Sequence, residues 1–81
     1  MYYVYVLQNV ANEKDFYIGY TSDLRKRLKA HNAGENQSTR GKAWRVLYYE
    51  AYRKESVARD REVKLKAHGR SKQILLERVS K

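Results

Sequence analysis

Eighty-one residues carry 18 Lys or Arg against 9 Asp or Glu, a formal net charge of +9, and include no cysteine and no proline. That length allows one domain and excludes a multidomain enzyme; the missing thiols exclude a disulfide framework, a thiolate zinc site and a cysteine nucleophile. No run approaches the ~20 apolar residues that span a bilayer and no signal-peptide pattern opens the chain, so a cytoplasmic protein away from membranes is expected.

Tyr2 to Leu7 is an unbroken aromatic and branched run and predicts a strand. Asn9 to Asp15 is polar and reads as a hairpin connection, followed by a second strand over Phe16–Tyr20 that Gly19 closes. Thr21 and Ser22 supply an N-cap and Asp23 a first-turn acid for a helix reaching about Asn32, where Gly34 is a suitable stop. Residues 35–43 show no periodicity and read as a basic, mobile loop. Arg45–Tyr52 predicts a third strand. Ser56 caps a second helix running to about His68, which Gly69 ends, and Ser71 caps a short last helix with Ile74, Leu75 and Val79 on one face. The order β-β-α-β-α-α predicts an α+β fold: a small sheet covered by helices.

The charge is lopsided. Residues 1–40 hold six basic and four acidic side chains, whereas residues 41–81 hold twelve and five. A field of that sign favours a polyanion such as DNA or RNA, although a solvated lysine-rich surface has the same composition. All eight tyrosines fall at positions 2, 3, 5, 17, 20, 48, 49 and 52, where they suit strands and core edges more readily than a platform for bases. Trp44 fits an anchor for the loop before it better than a stacking surface.

Three polar residues fall where a core should be. Leu24 and Leu28 mark the apolar stripe of the first helix, and Arg27 and His31 lie on or beside it at about 100° per residue. Snorkelling explains Arg27 on its own, and a favourable position at the helix C-terminus explains His31. On the second helix, Glu62 falls between Ala58 and Leu65, which is costly for a carboxylate unless it is paired or holds a metal. A Glu62–Arg27 ion pair closing the core is the plain alternative. One carboxylate completed by waters is a typical Mg²⁺ arrangement, arginine presents a fork of donors to phosphate, and a tyrosine or histidine can take a proton from water. Together they fit phosphodiester hydrolysis with one metal ion.

Tyr3-Val4-Tyr5, Tyr17-Ile18-Gly19, then Arg27, His31 and Arg61-Glu62 form an ordered set that resembles the GIY-YIG nuclease superfamily over nearly the whole chain, and most closely its small stand-alone bacterial excinuclease C-like members. The resemblance implies residues 1–81 as one nuclease domain with a three-stranded antiparallel sheet flanked by helices. It implies a cut in a nucleic-acid strand, DNA ahead of RNA, of a kind met in DNA repair. Glu62 then holds Mg²⁺ or Mn²⁺ and Arg27 stabilises charge on the scissile phosphate. Tyr17 activates or positions the water, with Tyr5 beside it and His31 in the same proton network; Tyr17 and His31 both remain candidates for the base. Gly19 allows backbone and substrate to approach. Arg40, Lys42 and Arg45, with Lys64, Lys66, Arg70 and Lys72, become phosphate contacts. A monomer or weak homodimer, given specificity by a protein partner, completes this expectation. The rival is a non-catalytic DNA- or RNA-binding module on the same scaffold.

Overall fold

The computed structural model describes residues 1–67 and 76–78. Its elements are β1 (Tyr2–Asn9), β2 (Asn12–Thr21), α1 (Leu24–Asn32), a 3-10 turn over Gln37–Thr39, β3 (Trp44–Tyr52) and α2 (Glu55–Ala67). Residues 76–78 are helical again, and Leu76 packs on the core. His68, Gly69, Ser71, Ile74, Leu75 and Val79 lie outside the described residues. The strands form one antiparallel sheet in the order β2-β1-β3.

β1 is apolar and aromatic from Tyr2 to Leu7 because it is the central strand and both its faces are covered. Val4 and Val6 point to one side, where α2 lays Ala58 and Leu65 beside Ile18, all 4% exposed or less. Tyr5 and Leu7 point to the other, where Trp44 and the half-buried Leu24 and Leu28 of α1 enclose them. Two thin half-cores, one on each face, are what so short a chain can fill; truncating Leu65 to alanine in one of them costs about 2–5 kcal/mol.

Several boundaries differ from expectation. β1 and β2 extend into the polar stretch, where the register shifts from Gln8 opposite Phe16 to Asn9 opposite Asn12 and leaves Glu13, Lys14 and Asp15 without ladder partners on β1; Asn9 braces the bend by accepting from the Ala11 amide and donating to Asp15. Asp23, not Thr21 or Ser22, is the N-cap of α1: its carboxylate accepts from the Lys26 amide at 3.1 Å, while the Thr21 hydroxyl binds the Asp23 backbone. Ser56 is the second residue of α2 and does not precede it. Gly34 does end the first helix, at a φ of +77° that a side chain rarely adopts. The loop after it is tied to its surroundings: the Trp44 indole, 5% exposed, donates to the Thr39 carbonyl, and Asn32 brackets the Trp44 backbone with two bonds. No helix among the described residues is long and apolar enough to cross a membrane.

Candidate active site

A cavity of about 280 Å³ lies where β2 gives way to α1, and Tyr5, Tyr17, Gly19, Arg27 and Glu62 all line it. Strand alternation explains the first three. Tyr5 pairs with Gly19 and Leu7 with Tyr17 across the ladder, so these side chains share one face. Arg27 enters from the first turn of α1, one turn beyond its cap. It is exposed at the cavity instead of enclosed on the inner flank, and it forms no ion pair with Glu62. The pairing that would have closed the core is therefore absent.

His31 stands behind this wall rather than on it. Its ring is fully buried, with Nε2 at 2.9 Å from the Tyr5 hydroxyl and Nδ1 at 2.7 Å from the Thr39 hydroxyl. Burial, aided by the Arg27 charge, pushes its pKa below the ordinary histidine value, so the neutral ring is favoured. Burial also pushes the Tyr5 phenol far up, with Tyr17 adding to the effect and Arg27 opposing it. A free phenolate at Tyr5 is thus disfavoured, and a shared proton with His31 is the available chemistry. Tyr17 packs its ring 4.8 Å from that of His31, and its oxygen accepts from the Asn36 side chain at 3.3 Å.

Gly19 has a reason the sequence did not show. It is buried, and a Cβ there would stand 2.5 Å from the Tyr5 oxygen and 2.7 Å from Cζ. The glycine makes room for the Tyr5 ring, and through it for the contact with His31.

The Glu62 side chain is 18% exposed, and its one ion pair among the described residues is a long 3.5 Å contact to Lys66 one turn on. The Lys66 ammonium also lies 5.6 Å from the Tyr17 ring. Glu55 lines the same cavity from the start of α2. Seven residues separate the two glutamates, which puts them on one side of the helix two turns apart. No group of three His, Cys, Asp or Glu side chains suited to a metal occurs among the described residues. One or two carboxylates with hydroxyls nearby make a hard-oxygen donor set that suits a cation keeping most of its waters.

Of the expected phosphate contacts, Arg40, Lys42, Arg45 and Lys64 do not line this cavity. Arg40 donates to the Gly34 carbonyl, Lys42 pairs with Asp15 at 2.8 Å, and Arg45 binds the Gln8 side chain. Lys64 pairs with Asp60 along the exposed face of α2. Arg70 and Lys72 lie outside the described residues. Sequence reasoning missed Thr39, Asn36 and Glu55. The seven-residue step from Glu55 to Glu62 is a signal that a wheel would have found. The other two sit in a stretch with no period to read.

Comparison with known proteins agrees with this geometry. A family model described as the GIY-YIG catalytic domain matches residues 1–74. A UPF0213 protein of Haloquadratum walsbyi is 34% identical over 73 residues, covering 88% of this chain and 80% of that one. A UPF0213 protein of Clostridium perfringens is 35% identical over 78 residues, covering 94% and 82%. The solution NMR structure of a UPF0213 protein from Bacillus halodurans superposes with a TM-score of 0.56 at 27% identity, covering 98% of this chain and 87% of that one. With the sheet order, the paired tyrosines and the shared cavity already in place, the chain belongs to the GIY-YIG catalytic-domain family of nucleases.

Proposed function

We propose that the protein is a metal-dependent endonuclease acting on DNA that is structured, damaged or single-stranded. The observation that carries this reading is the convergence of Tyr5, Tyr17, Arg27 and Glu62, from four separate elements, on one cavity with the buried His31 ring behind it. The surplus of nine positive charges supplies the long-range attraction for a polyanion.

Glu62 is the residue that holds a divalent cation, Mg²⁺ or Mn²⁺, with Glu55 on the same side of α2 as a second carboxylate. A cation bound there lowers the cost of charge developing on phosphate oxygens. Arg27, with no ion pair among the described residues, aims its donors at the non-bridging oxygens of the scissile phosphate. The proton of the attacking water passes to the Tyr5 oxygen as the Tyr5 proton passes to His31 Nε2. The hydroxide oxygen bonds to phosphorus, the leaving oxygen departs with its electron pair, and the imidazolium holds the proton. Tyr17 plays the complementary part: its oxygen already accepts from Asn36, so its own O–H turns outward as a donor. Tyr5 with His31 is thereby favoured as the base over Tyr17.

A cleavage panel tests this reading, with flap, junction, single-stranded and plasmid DNA and matching RNAs, each in Mg²⁺ and in Mn²⁺. Nicking is expected that disappears in Glu62→Ala and Arg27→Ala while both variants stay folded. Salt-sensitive binding without cleavage, indifferent to Glu62→Ala, overturns it in favour of a binding module.

A further inference from the structure

We propose that Thr39 is a positioning residue, whose hydroxyl fixes His31 in the Nδ1–H tautomer and so reserves Nε2 for the Tyr5 proton. The proposal deepens the endonuclease reading and rests on it for its catalytic meaning, although the tautomer itself does not depend on it.

Tyr5 is 1% exposed, and the one acceptor within reach of its hydroxyl among the described residues is His31 Nε2. For Tyr5 to donate, Nε2 must be bare, so the ring proton of the neutral imidazole sits on Nδ1. Nδ1 then needs an acceptor, and the Thr39 oxygen stands 2.7 Å away. The Thr39 hydroxyl proton in turn goes to the Asn36 carbonyl at 3.3 Å. Every proton in the chain from Tyr5 to Asn36 then has an acceptor. The reverse tautomer leaves the Tyr5 hydroxyl with no protein acceptor among the described residues, so its proton can only turn to the cavity.

Thr39 is held as a fixed part is held. It is fully buried, its amide bonds to the Asn36 carbonyl, and its own carbonyl receives the Trp44 indole proton. The 3-10 turn, Trp44 and the Asn32 brackets on β3 thus serve to present one hydroxyl to one ring nitrogen. At metal-bound histidines, an outer partner that sets the imidazole tautomer is worth about 10–100-fold in metal affinity or activity, and the same scale is expected here.

Nitrogen-proton correlation spectra of the His31 ring, on the full chain labelled with ¹⁵N, test the proposal directly. A protonated Nδ1 and a bare Nε2 are expected in the wild type near neutral pH; the opposite tautomer overturns the proposal without any variant. Thr39→Val, which keeps the shape and removes the acceptor, is expected to lose that preference and to lower kcat about 10–100-fold with KM unchanged. Thr39→Ser is expected to restore both. A Thr39→Val protein that is folded and still shows the protonated Nδ1 overturns the proposal. If the spectra show the expected tautomer while no nucleic acid is cut, the endonuclease reading fails and the Thr39 assignment stands.

Discussion

Two groups of side chains in this molecule have the same composition and opposite characters. Glu50, Arg61, Tyr48 and Tyr52 meet between β3 and α2, whereas Glu62, Arg27, Tyr5 and Tyr17 meet at the cavity. In the first group each carboxylate oxygen of Glu50 accepts twice: Oε1 from Tyr52 at 2.6 Å and Arg61 at 2.9 Å, Oε2 from Tyr48 at 2.7 Å and Arg61 at 3.1 Å. Burial raises the cost of that charge, yet Arg61 and the two phenols outweigh it and hold the carboxyl below its usual range. In the second group the arginine and the glutamate do not pair, and both face open space. A saturated cluster can do nothing further, so its role is to join β3 to α2. An arginine and a carboxylate held apart over a cavity keep their capacity for a ligand.

The contrast can be broken most forcefully at Glu62 and Arg27. Replacing either with alanine is expected to remove cleavage by about 10³-fold or more, while the thermal midpoint followed by circular dichroism stays within the range of ordinary surface substitutions. A large loss of stability in either variant would place it with the Glu50 cluster instead. Glu50→Gln is expected to do the reverse. Removing that charge from Arg61 and two phenols should cost about 2 kcal/mol, discounted for partial exposure, and lower the midpoint by roughly 10 °C. Activity per folded molecule should survive.

Gly19→Ala sharpens the comparison because it strikes the one place where site and core coincide. The new Cβ overlaps the Tyr5 ring, so stability should fall by about 1–3 kcal/mol. Cleavage should fall with it even well below the melting range. An active, stable Gly19→Ala protein would show that the Tyr5–His31 contact is not needed.

The smallest expected effect is in pH. The folded chain holds His31 neutral below the pH at which the unfolded chain has already taken up a proton. Acid therefore favours unfolding, and stability should decline from about pH 6.5 downward, before the carboxylates titrate. Urea midpoints at pH 7.5 and 5.5 check this, with His68→Gln as a control that should keep the decline. Equal midpoints would mean that His31 is not the depressed group.

Legibility in the sequence followed the range of the interaction. Strands and helices declared themselves through local periods, and the Ala58–Glu62–Leu65 spacing exposed the odd carboxylate. Arg27 was read as an inner residue because a wheel gives an angle, not the depth of the neighbour it faces. The residues 35–43 were read as a mobile loop because nothing periodic marks Thr39. Its importance comes from bonds to His31 and from the Trp44 indole, which join residues from the loop, α1 and β3. Nothing along the sequence marks the pairing of Arg61 with Glu50, which stands eleven residues away on another element.

Composition and spacing were enough for a cysteine-free, basic chain with an α+β order and polar residues out of place on two helices, and the ordered tyrosine, arginine, histidine and glutamate set carried the resemblance to a nuclease family. Tertiary structure alone decided which glutamate is saturated and which faces a cavity, why Gly19 has no side chain, and which hydroxyls stand against the two nitrogens of His31. The reason is physical: a period along the chain reports which face a residue occupies, whereas the fate of a charge or a proton depends on the few atoms within about 3 Å of it, and those come from elsewhere in the sequence.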